Sequence, residues 1–247
     1  MGLQTINKIT TQISERDYSN ENSKVLLQLT SKLINYFQDA RCYTACFTPH
    51  ADNINMWREY ADGGRGYSIG FKPRAITDMH GRIYKVRYID DSKHEEIYNL
   101  VSDIVKPIEV YGENIFKDME KELEIGSTLI SIINSLKHHT WEYEDEIRLT
   151  FASGNEPPPR RVPVSLSLDG TERPWAKPRV RQTSEHEIKF HSLPFGKFSN
   201  GKNDPKEAIF EVVIGSKADM TEGDVRRLLL DTGFSGFAIR KSSCEFR

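Results

Sequence analysis

The sequence lacks the features that mark secreted, membrane-bound or strongly charged proteins. Its three cysteines among 247 residues are too few, and odd in number, for a disulfide framework, so we expect a protein of the reducing cytoplasm. No apolar run approaches the roughly 20 residues that span a bilayer, and no basic segment followed by an apolar one opens the chain, so we expect neither a membrane partner nor a secretory signal. The formal net charge of −2 gives no overall attraction to nucleic acid.

The common catalytic and phosphate-binding motifs are missing too. There is no Walker loop, no HExxH and no GxSxG sequence. The GGRG segment at 63–66 lacks the GxGxxG spacing and follows a predicted helix, so it is not a dinucleotide-binding loop of the common kind. The seven histidines show no metal-ligand spacing, and Cys42 and Cys46 have no second cysteine pair, so we expect no metal.

The composition and the apolar patterning indicate one folded α+β domain over residues 1–247. Hydrophobic residues make up 37% and charged residues 28%, as in globular proteins. Helical spacing predicts a helical N-terminal segment over 1–41, with a loose or short-helical start over 1–22, and a helical insertion over 92–137. Shorter apolar runs predict mostly antiparallel or mixed strands at 42–48, 67–71, 83–89, 147–151, 187–191, 208–214 and 236–239.

Residues 154–182 interrupt this pattern with proline and arginine. A stretch of this length and composition predicts a long surface loop. It holds the only concentrated basic patch of the chain: Arg160, Arg161, Arg173, Lys177, Arg179 and Arg181. A solvated loop and a contact with an anion or a nucleic acid are both consistent with this patch.

The segment CFTPHADNINMWREYADGGRGYSIGF predicts a strand, a short helix that Asp52 or Asn53 can cap, and a second strand. Phe47 ends the first strand and Tyr60 follows on the helix, so the two rings could face each other across a slot. A flat cationic ring between them would gain about 0.5–2 kcal/mol per ring from stacking and cation–π attraction, and Thr48 could donate to a ribose or phosphate oxygen. Alternatively the helix packs on the sheet, which we expect for Met56 and Trp57 and leave open for Tyr60.

The segment HHTWEYEDEIRLTFA carries Glu144, Glu146 and Arg148 at alternate positions. In a strand these side chains would share one face. A row of carboxylates is costly unless a cation or a ligand compensates it, and Arg148 is one such cation. The pattern fits a solvated edge with an internal salt bridge, or a site in which one glutamate orients a sugar hydroxyl or stabilises a cationic transition state.

Three segments together resemble a large bacterial family known only as a domain of unknown function. They are MWxxYA…GxxIGF at Met56–Phe71, WxxExExR at Trp141–Arg148 and IRKSSCEFR at Ile239–Arg247. The resemblance spans about residues 42–247 and by itself implies no activity.

A second resemblance does imply an activity. A strand ending in an aromatic residue and Ser or Thr, then a helix, a second tyrosine and a later glutamate, is similar to the core of NAD-dependent ADP-ribosyltransferases of the His–Tyr–Glu type. This implies a split β-sheet core in which Phe47 and Tyr60 sandwich nicotinamide and Thr48 takes the Ser/Thr position. Glu144 begins a Glu-x-Glu element, and Glu146 would hydrogen-bond the ribose 2′-hydroxyl and stabilise an oxocarbenium-like state. The transferases also carry an early strand with His, Arg or Tyr, for which residues 1–41 offer no equivalent.

The resemblance therefore predicts an ADP-ribosyltransferase-like enzyme that uses NAD as substrate and modifies an unidentified protein or nucleic acid, in the role of a bacterial toxin or phage-defence effector. The candidate catalytic residues are Glu146 and Glu144, and the candidate NAD-binding residues are Phe47, Thr48, Tyr60, Tyr67 and Arg148. Two alternatives stay open: a non-catalytic relative that binds a nucleotide or a protein, and a module that contacts nucleic acid through residues 160–181.

Overall fold

Helices make up most of the first half of the chain, and six of the ten described strands lie in the second half. The computed structural model describes residues 2–17, 19–79, 81–90, 94–154, 178–183, 186–193, 195 and 204–245. In chain order the α-helices are α1 (Gly2–Arg16), α2 (Asn20–Asp39), α3 (Ile54–Tyr60), α4 (Pro73–Thr77), α5 (His94–Val105), α6 (Pro107–Tyr111), α7 (Met119–Ser135) and α8 (Glu222–Asp231). The strands are β1 (Ala40–Phe47), β2 (Tyr67–Phe71), β3 (Arg82–Lys85), β4 (Arg87–Ile89), β5 (Leu136–His138), β6 (Ile147–Gly154), β7 (Arg179–Gln182), β8 (Glu187–Phe190), β9 (Ile209–Ile214) and β10 (Ala238–Lys241).

The chain divides into two units. The first comprises Met1–Ala45, Tyr84–Glu142 and Glu146–Asn155, and the second comprises Cys46–Ile83, Tyr143–Asp145 and Glu156–Arg247. Helices and small parallel and antiparallel sheets occur together, so the predicted α+β class is confirmed. No α-helix in the described part of the chain combines the length and apolarity needed to cross a membrane.

The first unit is built on a helical core. Apolar side chains at helical spacing on α1, α2, α5 and α7 are buried against one another, among them Ile6, Ile9, Leu26, Val101 and Leu129. The predicted helical insertion is confirmed as α5, α6 and α7, and Asp118 caps α7 by accepting from the backbone N–H groups of Glu120 and Lys121. A three-stranded sheet in the order β1-β6-β3 has most of its residues in this unit, and β4 pairs with β5 in parallel.

The loose or short-helical start predicted for residues 1–22 is wrong. Helix α1 runs for 15 residues, although its threonines and isoleucines are weak helix formers. Ile6, Ile9 and Ile13 lie on one face and are almost fully buried in the core. Burial of this face stabilises the helix, since tertiary packing commonly outweighs intrinsic propensity.

The second unit is built on a sheet in the order β10-β9-β2. Strand β9 pairs in parallel with β10 and antiparallel with β2. Buried Val212 and Ile214 of this sheet pack with Val225 of α8, and Thr221 and Asp224 form a capping box at the start of α8. The predicted bounds of β2 are confirmed, as is the cap of α3, where Asn53 accepts from the N–H of Asn55.

The structure describes only residues 154 and 178–182 of the surface loop predicted over 154–182. Residues 155–177, with Arg160, Arg161, Arg173 and Lys177, lie outside the described residues. The loop assignment is wrong for Arg179–Gln182, which form β7 and pair with β8 in an antiparallel hairpin. Pairing with the neighbouring strand β8 decides this, and the proline- and arginine-rich composition hides it.

The glycines after α3 permit a close approach of two backbones within the second unit. Gly63 and Gly64 have positive φ, and the chain turns there directly after α3. The carbonyl oxygens of Gly64 and Gly66 accept from the N–H groups of Lys217 and Gly215 at 2.9 and 3.0 Å. A Cβ atom on Gly215 would lie 2.2 Å from the Gly64 oxygen, so the GGRG segment packs against a neighbouring turn of the chain.

The substitution Gly215→Ala tests this close approach. We expect it to lower the free energy of unfolding by about 3 kcal/mol, because the new methyl group forces the two turns apart and breaks their hydrogen bonds. Urea denaturation measures the loss. The matched control is Gly223→Ala in α8, where the nearest atom is 3.6 Å away and no loss is expected; an equal loss in both variants would contradict the interpretation.

Candidate functional site

The two candidate glutamates do not lie on one strand. Glu144 ends a short 3-10 helix, His139–Glu144, and Asp145 then adopts a left-handed conformation with φ of 45°. Strand β6 begins only at Ile147. The expectation that Glu144, Glu146 and Arg148 share one strand face is therefore wrong for Glu144, because the turn at Asp145 reverses the alternation. Both glutamates are buried, at 2% exposure each, and they belong to different units.

Glu144 is hydrogen-bonded to Tyr60 within the second unit. The Tyr60 hydroxyl donates to Oε1 of Glu144 at 2.7 Å, while the Tyr60 side chain stands at the end of α3 with 62% of its area exposed. Of the two alternatives for Tyr60, packing in the core is therefore excluded. Trp57, one turn earlier on the same helix, is 2% exposed, as its predicted packing role requires.

The other candidate residues of the second unit lie on β1, β2 and the loop after β1. Phe47 packs edge-on against Phe71, with ring centroids 6.0 Å apart. Thr48 accepts a hydrogen bond from the N–H of His50 at 3.2 Å, and the His50 ring lies 3.7 Å from a carboxylate oxygen of Asp145. Tyr67 is partly exposed on β2. The His50–Asp145 contact places this loop beside the segment that carries Glu144.

Glu146 lies in the first unit inside a cluster of charges. Its Oε1 accepts from Nε of Arg148 at 2.8 Å, and its Oε2 accepts from a terminal nitrogen of Arg148 at 3.2 Å and from Nζ of Lys137 at 2.9 Å. Its backbone N–H donates to the Tyr88 hydroxyl at 2.7 Å. The internal salt bridge foreseen for this segment is present, but it is buried and not part of a solvated edge.

Arg148 and Lys137 connect this cluster to the end of α7. Arg148 donates from its guanidinium to the carbonyl oxygen of Asn134 at 2.8 Å, one of the carbonyls that a helix end leaves without an internal partner. The Lys137 ammonium lies 5.0 Å from the ring centroid of Trp141. The guanidinium of Arg148, a candidate NAD-binding residue, thus donates its hydrogen bonds to Glu146 and to the backbone.

Asp52 is the charged residue of the second unit that sequence reasoning missed, since it was considered only as a helix cap. Its Oδ1 accepts from the Trp57 indole N–H at 2.7 Å and from the Ser242 hydroxyl at 2.5 Å. Its Oδ2 accepts from the N–H and the hydroxyl of Ser243 at 2.7 and 2.9 Å, and Nη1 of Arg240 lies 3.4 Å away. One carboxylate therefore joins the Met56–Phe71 and Ile239–Arg247 motifs.

This network changes the acidity of Asp52. Burial by itself would raise the pKa of the carboxyl, but the hydrogen bonds from Ser242, Ser243 and Trp57 outweigh it and hold the pKa well below the usual range. Burial also raises the pKa of the neighbouring Cys244 thiol. The serine pair of the IRKSSCEFR motif could have suggested a carboxylate partner, but nothing in the sequence identifies which one.

No metal-binding arrangement occurs in the part of the chain that the structure describes. Groups of three or more His, Cys, Asp or Glu side chains able to hold an ion are absent from it. The arrangement best suited to a ligand is the exposed Tyr60 ring with its buried Glu144 partner.

The substitution Glu146→Gln tests the structural role of the charge cluster. It would leave Arg148 and Lys137 without their carboxylate, so we expect the free energy of unfolding to fall by about 3–5 kcal/mol. Urea denaturation measures this, with Glu142→Gln as control, because Glu142 is exposed in the 3-10 helix that precedes Glu146. Equal stability of the two variants would show that the cluster does not stabilise the fold.

The variant Asp52→Asn tests the second network through its pH dependence. Because the folded-state pKa of Asp52 lies below its unfolded value of 3.8, its charge stabilises the fold above that pH and ceases to do so as the pH falls further. We expect the variant to be about 3 kcal/mol less stable at neutral pH. The difference in the free energy of unfolding between the wild type and the variant should decrease below about pH 4 by up to about 1.4 kcal/mol per pH unit.

Thermal unfolding between pH 7 and pH 2 measures this difference. The exposed Asp219 provides the control for the change of charge. The role of the Asp52 network would be ruled out if the stability difference of Asp52→Asn from the wild type did not change with pH. It would also be ruled out if the stability difference of Asp219→Asn decreased by the same amount.

Comparison with known proteins supports one part of the resemblance. Residues 56–149 match the model of a family described as Protein of unknown function (DUF2971). The matched region covers less than half of the chain and contains the Met56–Phe71 and Trp141–Arg148 motifs, whereas Ile239–Arg247 lies outside it. A search of curated proteins and a search of solved structures each give no match. The comparisons thus support a relationship to a family of unknown function.

Proposed function

We propose that this protein binds NAD through Tyr60 and Glu144 and transfers its ADP-ribosyl group to a macromolecular acceptor. The observation that carries the proposal is the exposed Tyr60 ring, whose hydroxyl donates at 2.7 Å to the buried Glu144 carboxylate. An exposed aromatic ring held at one end is a prepared surface for a flat ring such as nicotinamide.

The Tyr60 ring supplies the stacking surface. Nicotinamide in NAD is flat and positively charged, so it gains both stacking and cation–π energy on a tyrosine, about 0.5–2 kcal/mol. The hydrogen bond to Glu144 restricts rotation of the ring before the ligand arrives, which reduces the ordering cost of binding.

The Tyr60 hydroxyl supplies a contact for the ribose. Because its proton is donated to Glu144, its oxygen is oriented to accept a hydrogen bond from a ribose hydroxyl. The negative charge of Glu144 strengthens that acceptor and favours positive charge on the sugar. Tyr60 would thus touch the substrate, and Glu144 acts through it as a positioning residue.

The reaction breaks the bond between ribose C1′ and the nicotinamide nitrogen. The electron pair of that bond leaves with nicotinamide, which becomes neutral, while positive charge develops on C1′ and the ring oxygen. A nucleophilic atom of the acceptor then bonds to C1′ and releases a proton. A nearby carboxylate stabilises this positive charge on the sugar, as carboxylates do in glycoside cleavage.

We assign the stabilising negative charge to Glu144, acting through Tyr60, in preference to Glu146. Both oxygens of Glu146 accept from Arg148, and one of them also from Lys137, so its charge is compensated within the fold. We retain Phe47, Thr48 and Tyr67 as candidate NAD contacts, because they belong to the same unit as Tyr60 and Glu144. The role of toxin or phage-defence effector belongs to the same proposal and derives from the resemblance.

Nicotinamide release from NAD tests the proposal. We expect Tyr60→Ala to raise KM about 10-fold by removing the stacking surface. Tyr60→Phe keeps the ring and should instead lower kcat about 100-fold with little change in KM. Glu144→Gln should lower kcat similarly, and the double variant Tyr60→Phe/Glu144→Gln should show no further loss, because the two groups act as one unit.

The control is Tyr111→Ala, which removes a partly exposed tyrosine of the first unit and should leave both constants unchanged. Additive losses in the double variant would exclude the coupling of Tyr60 and Glu144. Binding of NAD without nicotinamide release would identify a non-catalytic nucleotide-binding protein. Absence of both would overturn the proposal.

A further inference from the structure

The β7–β8 hairpin presents a basic surface that the proposed NAD site does not use. Its antiparallel register pairs Arg179 with Phe190 and Arg181 with Ile188. Directly opposed residues of two antiparallel strands share a face, so one face of the hairpin carries two arginines next to an aromatic and an aliphatic side chain. All four residues of β7 are exposed.

Arg179 is held in a defined orientation on this face. Its guanidinium lies 5.4 Å from the ring centroid of Phe190 and donates to the Ser192 hydroxyl at 3.3 Å. A guanidinium supported in this way keeps its donors at the edge and offers a flat surface on which a base can stack.

Arg181, the second arginine of this face, forms no hydrogen bond or ion pair with another described residue. Glu187, the carboxylate of β8, pairs with Gln182 on the opposite face and accepts from its amide at 3.4 Å. Lys189 pairs with Val180 on that opposite face as well. The face with Arg179 and Arg181 thus carries two cations and no carboxylate among the residues of the two strands.

We propose that the β7–β8 hairpin binds single-stranded nucleic acid. Arg179 and Arg181 lie two residues apart on a strand, about 7 Å, so they can contact successive phosphates of an extended strand. The supported guanidinium adds stacking with a base, and this combination of cations and stacking surfaces is how proteins bind single strands without sequence preference.

An anionic membrane fits the same surface less well. Ile188 and Phe190 are half-buried, which leaves Val180 as the exposed large apolar side chain of the hairpin. A single apolar side chain buries little area in a lipid interface. The proposal is independent of NAD binding, so either one can fail without the other.

Fluorescence anisotropy with labelled oligouridylate and oligothymidylate over a series of salt concentrations tests the proposal. We expect Arg179→Gln/Arg181→Gln to weaken binding about 10-fold or more. The slope of log affinity against log salt should decrease by about 1.4, since each lost phosphate contact on a single strand contributes about 0.7. The variant Arg179→Lys/Arg181→Lys keeps both charges and should keep the slope.

The matched control is Lys8→Gln/Lys24→Gln, which removes two exposed charges from the first unit and should leave affinity and slope unchanged. The proposal is overturned if the wild-type protein binds neither oligonucleotide, or if the two neutralised pairs lose affinity equally. It is equally overturned if the hairpin variant binds as well as the wild type, or if only anionic vesicles, and not the oligonucleotides, bind the protein.

Discussion

A carboxylate that is removed from water must be met by donors or cations, and this requirement organises both units of the protein. In the first unit Glu146 is met by Arg148 and Lys137, and Arg148 extends the network to the end of α7. In the second unit Asp52 gathers donors from α3 and from the chain after β10. Segments that are far apart in sequence are joined within each unit because one buried charge needs several partners.

Glu144 meets the same requirement in a different way. Its carboxylate accepts a hydrogen bond from the neutral Tyr60 hydroxyl, whereas the carboxylate of Glu146 accepts from two cations. The difference between Glu144 and Glu146 is therefore one of environment and not of residue type. It leads us to place the chemistry at Tyr60 and Glu144 and the structural role at Glu146, the reverse of the emphasis that the sequence pattern suggested.

Much of the local structure could be predicted because local signals and tertiary packing agree. The strand Tyr67–Phe71, the Asn53 cap and the helical insertion follow from alternation, capping chemistry and apolar periodicity. The prediction was wrong where the two disagree. Helix α1 exists because its isoleucines are buried, and the alternation expected from Glu144 to Arg148 is broken by the turn at Asp145.

The sequence by itself determined the α+β class and the residues among which a site had to be sought, because these depend on periodicity and residue type. Only the tertiary structure decided that Tyr60 is exposed, that Glu146 is compensated by two cations, and that Asp52 joins two motifs. Exposure and charge pairing depend on which distant segments meet. The same pattern of two glutamates and an arginine is compatible with either role until those partners are known.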